Sequence, residues 1–210
     1  MLKDEYKKLI NSLSPNYYIY EQQTKEFIMP YIEKMDGTFI DCGAHSGIYT
    51  VLFSLCASKV ICFEPTGNIV RLKKNLEVLK PHLSDNIVIE SMAVGNKTGV
   101  FTDGLWERWK AKKVEGEFQF TTLDNYVKNN DVGRIDFIKI DVDSFDFEVL
   151  QGSVEVMKEF SPMVLVELNP ALKLRGHSRE EACEFMKEAG YKLIGEGEYG
   201  NTIWEKDGKV

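Results

Sequence analysis

"TFIDCGAHSGIYTVLFSL", Thr38 to Leu55, decides the fold. An apolar strand runs into a carboxylate, Asp41, and two glycines follow with three residues between them, Gly43 and Gly47. An apolar stretch able to form a buried helix comes next. The order is strand, tight turn, helix. Glycines let the backbone turn sharply or approach a neighbour closely. The helix start behind them carries unpaired N–H groups, so the turn has the form of an anion cradle.

The same rhythm continues downstream. "TFID" (38–41), "KVICFEP" (59–65), "NIVIES" (86–91), "IDFIKIDV" (135–142) and "MVLVELN" (163–169) are near-continuous apolar runs. Parallel strands covered on both faces read this way. Helical patterns lie between them at about 47–56, 67–80, 145–158 and 178–189, the last opened by a capping box of Ser178 with Glu181. Alternation of this kind predicts an open α/β sheet. The tail "YKLIGEGEYGNTIWEK" has two strand-like runs around a turn near Gly195 to Gly200, and closes as an antiparallel hairpin. Ahead of a domain over 37–210, residues 1–36 form a helical extension whose second helix is bent or split by Pro30. Residues 103–116 read as an irregular insert.

Composition narrows the classes of function. A chain of 210 residues with 43% hydrophobic and 28% charged residues is ordinary for one globular domain. A net charge of -7 argues against general affinity for nucleic acid or anionic membrane. No apolar run reaches the length of a membrane span, and "MLKDEYKKLI" lacks the apolar core of a signal peptide. Cys42, Cys56, Cys62 and Cys183 follow no metal or disulfide spacing. They read as reduced thiols in a cytoplasmic protein.

In an open parallel sheet, ligands bind beyond the carboxyl ends of the strands. Those ends carry Asp41, Glu64, Glu90 with Ser91, Asp141 and Glu167. Helix capping is the ordinary explanation for such acids and suits Asp143 and Ser144, ahead of the 145–158 helix. It suits Asp41 and Glu64 less well. Glu64 follows Gly43 by 21 residues, where a carboxylate accepts from both hydroxyls of an unmodified ribose. The loop reads G-x-x-x-G, with His45 in place of the glycine that lets a pyrophosphate approach. Asp41 is poorly placed for a pyrophosphate and well placed for an ammonium. Electrostatics therefore favours S-adenosylmethionine over a nicotinamide dinucleotide.

With these residues in view, the chain resembles the FkbM family of Rossmann-type methyltransferases. The matching stretches are "FIDCGAHSGIYTVLFS", "VICFEPTGNIVRLKKNL", "SMAVGNKTG", "TTLDNYV", "IDFIKIDVDSFDFEVLQG" and "VLVELNP", in the family's order over about residues 38–170. The resemblance implies a Rossmann-like three-layer α/β/α sandwich with a mostly parallel seven-stranded sheet in the order 3-2-1-4-5-7-6. It implies methyl transfer from S-adenosylmethionine, often to hydroxyls of sugars or natural products. It also implies Asp41, Gly43, Ala44, His45, Ser46 and Gly47 around the methionine tail, and Glu64 with the adjoining Pro65 at the ribose. Ser91 and Met92 are expected beside the adenine, and Asp141 close to the reacting methyl. The chain departs from the family where His45 replaces a common Asn and "DVDSFD" replaces an Asp-Val-Glu-Gly run, so that Ser144 stands for a Gly.

The expected enzyme is thus a cytoplasmic O-methyltransferase with Asp141 and Asp143 as catalytic carboxylates, taking a small-molecule acceptor and neither nucleic acid nor membrane. No metal is assigned, although Asp141, Glu167 and Asn169 offer a cation site as an alternative. "LWERWKAKK", with Trp106 and Trp109, is read as an acceptor-side flap, and Tyr17, Tyr18 and Tyr20 line the acceptor side or pack the N-terminal helices. His177 either contacts an acidic acceptor or lies on a solvated loop. A nicotinamide-dependent oxidoreductase and a non-catalytic cofactor-binding relative are the rival readings.

Overall fold

The computed structural model describes residues 2–102, 105–107, 112–114 and 116–208, with the backbone alone at 105–107 and 112–114. Seven strands make the main sheet: β1 (Thr38–Cys42), β2 (Lys59–Phe63), β3 (Ile87–Glu90), β4 (Ile135–Ile140), β5 (Met163–Glu167), β6 (Tyr191–Glu196) and β7 (Asn201–Lys206). Their spatial order is β3-β2-β1-β4-β5-β7-β6. β3, β2, β1, β4 and β5 pair in parallel, and β7 runs antiparallel to both β5 and β6. The expected α/β sandwich and C-terminal hairpin are present.

Strand parity builds two cores. Phe39, Val60, Phe137 and Leu165 point to one face, where α1 (Leu2–Leu13), α3 (Gln22–Ile32), α4 (Ile48–Ser54) and α5 (Ile69–Leu79) cover them. Ile40, Ile61, Ile138 and Val164 point to the other, beneath α6 (Leu123–Asn129), α7 (Asp146–Gln151), α8 (Val154–Phe160) and α9 (Arg179–Glu188). Fully buried Phe39 meets Phe53 edge-on at 5.4 Å and Phe137 at 5.7 Å, so α4 is clamped to the middle of the sheet. Burying one such ring contributes roughly 1.5–3 kcal/mol.

Several expected boundaries shift. The N-terminal segment holds three helices, with α2 (Pro15–Ile19) between α1 and α3. The breaks fall at Ser14–Pro15 and at Glu21, whose φ is 48°, and Pro30 sits inside α3 without splitting it. Proline suits the first position of α2, where the N–H would be unpaired in any case. The helix expected over 145–158 is two helices, because Gly152 presses against Gly95: a Cβ there would lie 2.1 Å from the Gly95 oxygen. Asp124 then caps α8 by accepting from the Glu155 and Val156 N–H groups. Part of the 103–116 insert is more ordered than expected, and short strands lie on either side of it. Ala93–Val94, Phe118–Thr121 and Gly99–Phe101 form a small sheet, and Leu105–Glu107 pairs with Lys112–Val114. Trp109 and the Trp106 side chain lie outside the described residues. Among the described residues no helix is long and apolar enough to cross a membrane.

Buried Lys25 of α3 donates to the carbonyls of Tyr17 and Tyr20, tying down the turn between α2 and α3. Burial pushes its ammonium down to about 8, against the pull of Glu21, Glu198 and Glu26. Between that value and the ordinary 10.5, the unfolded chain holds a proton that the folded chain has lost. Stability is therefore expected to rise with pH across this window. Below about 8 the lysine is charged in both states and its burial cost is felt in full. Lys25→Met should remove the rise, and thermal denaturation of both proteins between roughly pH 7 and 10 checks it. Parallel pH curves for the two proteins would contradict the assignment.

Candidate active site

Gly43, Glu64, Lys139 and Asp141 come together at the carboxyl ends of β1, β2 and β4. The chain leaves β1 through Gly43, whose φ is 82° and whose ideal Cβ would lie 1.8 Å from the Asp141 carbonyl oxygen. Only glycine fits, because the loop is pressed against the end of β4. The N–H groups of Gly43 and Ala44 both donate to the Phe63 carbonyl at 3.0 Å, and that of His45 donates to Glu64 Oε2 at 2.8 Å. Three donors of the expected cradle are thus engaged within the protein. Glu64 also accepts from the Thr66 N–H at 2.9 Å and the Thr66 hydroxyl at 2.6 Å. A carboxylate has about four lone-pair sites, so Glu64 organises both loops and keeps acceptor capacity toward the cavity.

Beneath the loop, Asp41 is fully buried and lies directly opposite Lys139 in the β1–β4 register. Equal parity puts both side chains on one face of the sheet. Lys139 Nζ is 3.3 Å from Asp41 Oδ1 and 3.5 Å from Asp141 Oδ2, and it donates to the Gly43 carbonyl at 3.2 Å. Burial lowers the Lys139 pKa, but Asp41, Asp141 and Glu21 together hold it above its usual value. Lys139 therefore remains an ammonium that answers two carboxylates at once. Asp41 also accepts from the Thr50 hydroxyl at 2.6 Å, through Oδ2. Glu21, at the start of α3, is also buried nearby and accepts from the Tyr49 hydroxyl at 2.7 Å. Burial and the charge of Asp141 raise its pKa.

After β4 the chain makes an unusual turn. Asp143 and Ser144 have φ of 52° and 96°, values that favour glycine. Asp143 and Ser144 are not the cap expected of them: the N-cap of α7 is Phe145, with no side-chain cap hydrogen bond, and Asp146 holds the turn ahead of the helix by accepting from the Val142 N–H at 3.0 Å and the Ser144 N–H at 3.1 Å. Asp146 is buried; desolvation, and then the charge of Asp141, push it up to about 7. Left-handed non-glycine backbone costs of order 1–3 kcal/mol per residue. Ser144→Gly is therefore expected to stabilise the protein by ~1 kcal/mol after the larger entropy loss of glycine is subtracted. A urea titration checks this, and a lowered midpoint would assign the Ser144 side chain a holding role.

These elements enclose a cavity of about 450 Å³. Of the expected residues, Gly43, Ala44, His45, Ser46, Glu64, Pro65, Met92, Asp141 and Asp143 line it. Asp41, Gly47 and Ser91 do not: Asp41 is buried behind Lys139, Gly47 starts α4 and Ser91 is solvent-exposed. Glu90 turns aside to accept from the Tyr126 hydroxyl at 2.7 Å. The far wall comes from the N-terminal segment, through Asn16, Tyr17 and Tyr20, whereas Tyr18 is buried against Tyr6 and Glu26. Lys139, Tyr49, Thr66, Asn68 and Arg71 also line the cavity without having been expected. For Lys139 a signal existed, since a lysine inside a strand buried on both faces requires a carboxylate partner. His177 lies away from the cavity, edge-on to Phe147 at 4.8 Å and 3.3 Å from Glu181. Among the described residues no three His, Cys, Asp or Glu side chains converge as a metal site requires.

The family model of the methyltransferase FkbM domain matches residues 41–193. Among solved structures, the chain is similar to the methyltransferase FkbM of Methylobacillus flagellatus KT, with a TM-score of 0.59 and 14% identity. That match covers 81% of this chain and only 43% of the other, so the chain spans less than half of that protein. It is also similar to magnesium protoporphyrin IX methyltransferase (ChlM) of Synechocystis PCC 6803, solved with bound SAM, at a TM-score of 0.53 and 10% identity. This second match covers 88% of this chain and 77% of that one. At such identities both are likenesses of fold. No curated protein matches the chain.

Proposed function

The chain belongs to the FkbM methyltransferase domain family, with S-adenosylmethionine as its cofactor, and from that premise we propose that it methylates a hydroxyl of a sugar or small natural-product-like acceptor. The observation that carries the reading is the position of Asp141. It is held beside Lys139 at the end of β4, lines the cavity and keeps a quarter of its side chain exposed (25%).

The residues present fit S-adenosylmethionine. The cavity volume lies within the ordinary range for small-molecule sites, and Gly43 leaves the loop flat where a Cβ would not fit. Lys139 answers Asp41 and Asp141 together, leaving an excess of negative charge that suits a cationic ligand. In this reading Glu64 and the adjoining Pro65 take the ribose, while Met92 flanks the adenine. The loop from Gly43 to Gly47 takes the methionine tail, with Asp41 acting through Lys139. The cofactor supplies an electrophilic methyl on a sulfonium, already a good leaving group. The chain's own task is orientation, worth up to ~7–11 kcal/mol in favourable cases. Asp141 accepts the proton of the acceptor hydroxyl, and Asp143 on the strained turn helps to orient it. The Gly43-to-Gly47 spacing, with His45 where a pyrophosphate needs a glycine, argues against a nicotinamide dinucleotide. The acidic surface and unpaired thiols support a cytoplasmic enzyme that binds no nucleic acid.

Calorimetry with the demethylated cofactor, S-adenosylhomocysteine, tests the reading. Binding is expected, and Glu64→Ala should weaken it by at least ~10-fold, since charge-assisted hydrogen bonds contribute roughly 1.5–3 kcal/mol each. Tight binding of a nicotinamide dinucleotide with no response to S-adenosylhomocysteine would overturn it.

A further inference from the structure

Glu21 occupies the cap position of α3, where an acid ordinarily serves the first N–H groups of the helix. Its side chain makes no cap hydrogen bond. Glu198, from the turn between β6 and β7, takes that place. It accepts from the Gln23 N–H at 3.0 Å, the Thr24 N–H at 2.8 Å and the Thr24 hydroxyl at 2.6 Å. Released from capping, the Glu21 carboxylate is buried inside the protein. It is 2% exposed, and its left-handed φ of 48° is one that a glutamate adopts at a cost.

Inside, Glu21 joins a charge balance that does not close. Its Oε2 accepts from the Tyr49 hydroxyl at 2.7 Å, whereas Oε1 is enclosed without a hydrogen bond of good geometry. Two ammonium groups lie near the Tyr49 ring, Lys139 at 5.2 Å and Lys25 at 6.0 Å from its centre. Lys25 is spent on the Tyr17 and Tyr20 carbonyls, and Lys139 on Asp41, Asp141 and the Gly43 carbonyl. Asp41, Asp141 and Glu21 thus draw on one shared ammonium. Burial, and then the charge of Asp141, work against ionised Glu21, while Tyr49 and Lys139 favour it. Glu21 does not line the cavity, but Asp141, Tyr20 and Tyr49 do. A positive charge bound against Asp141 would cancel the repulsion that Glu21 feels.

We propose that Glu21 is a specificity-determining residue for charge at the cofactor's sulfur, favouring the cationic sulfonium of S-adenosylmethionine over the neutral thioether of S-adenosylhomocysteine. It acts through its field and does not touch the ligand. At an effective dielectric of ~20, one carboxylate still outweighs thermal energy across the width of a side chain. The two ligands differ by one methyl and one positive charge, so the ratio of their dissociation constants reads that field directly. This assignment rests on the methyltransferase reading and adds to it a residue of the N-terminal segment.

Calorimetry of both ligands with the parent, Glu21→Gln and Tyr49→Phe tests the proposal. Glutamine keeps an acceptor for the Tyr49 hydroxyl and removes the charge. Phenylalanine removes the donor that favours the ionised carboxylate, and it keeps the test decisive should Glu21→Gln fail to fold. In each variant the preference for S-adenosylmethionine over S-adenosylhomocysteine should fall by ~5-fold or more, about 1 kcal/mol. A merely structural role would weaken both ligands alike and leave the ratio as it is in the parent. An unchanged ratio in Glu21→Gln, or in Tyr49→Phe where Glu21→Gln does not fold, overturns the proposal. Failure of both ligands to bind the parent would instead remove the methyltransferase reading, so the two failures are separable.

Discussion

Asp141→Asn is expected to slow methyl transfer by ~10²–10⁴-fold, the range for loss of a positioned base. The substitution keeps the shape of the side chain at the end of β4 and removes its ability to take a proton. Lys139 lies 3.5 Å from the carboxylate and Gly43 is packed against the Asp141 carbonyl, so the backbone there is fixed from two sides. The loss should therefore appear in kcat at saturating cofactor, with the affinity for S-adenosylhomocysteine little changed. Asp143→Asn should cost less, because Asp143 follows the strand on a turn held by the Asp146 carboxylate. Normal turnover by Asp141→Asn would place the base elsewhere. A magnesium requirement that vanishes in this variant would favour metal-assisted chemistry at the strand ends.

The largest loss of stability is expected from Lys139→Met. Asp41 is fully buried, and without the ammonium it would keep only the Thr50 hydroxyl. Removing one partner of a buried ion pair costs about 3–5 kcal/mol, because the other charge is left unanswered. The substitution also releases Asp141. Combining it with Asp41→Asn should recover most of the loss, since a buried pair contributes far less than either half costs alone. Urea titrations of the single and double variants measure this coupling. A Lys139→Met protein as stable as the parent would mean that water reaches Asp41.

The layout of the main sheet was legible because five strands are almost uninterrupted apolar runs and the hairpin carries its own glycine turn. The site was legible in outline. Acids at strand ends and glycines after β1 mark a ligand edge whatever the ligand is. Other features lay below what periodicity resolves. Strands of two to four residues, such as Ala93–Val94 and Gly99–Phe101, are too short to display a pattern and exist through partners distant in sequence. Lys139 was hidden inside "IDFIKIDV", whose apolar neighbours dominate the reading, and only the register with β1 reveals that it faces Asp41. In "DVDSFD" three acids lie within six residues, and composition cannot tell which of them turns back to hold the loop. Asp146 does so, which leaves Asp143 at the cavity. The Tyr20–Tyr199 stack joins residues from opposite ends of the chain and has no local signature.

The contact between Gly43 and the Asp141 carbonyl means that two functions share one mechanical part. A cofactor loop and a proton acceptor are usually pictured as separately adjustable, so that affinity and rate can drift apart under mutation. Here a side chain at position 43 would have to displace the end of β4 by more than an atomic radius, since its Cβ would lie 1.8 Å from that carbonyl oxygen. Any change that lets the loop accommodate a different donor molecule therefore moves the carboxylate relative to the acceptor. In the proposed reading, cofactor preference is thereby tied to the position of Asp141, while the cavity wall that Asn16, Tyr17 and Tyr20 contribute from the N-terminal segment takes no part in that contact.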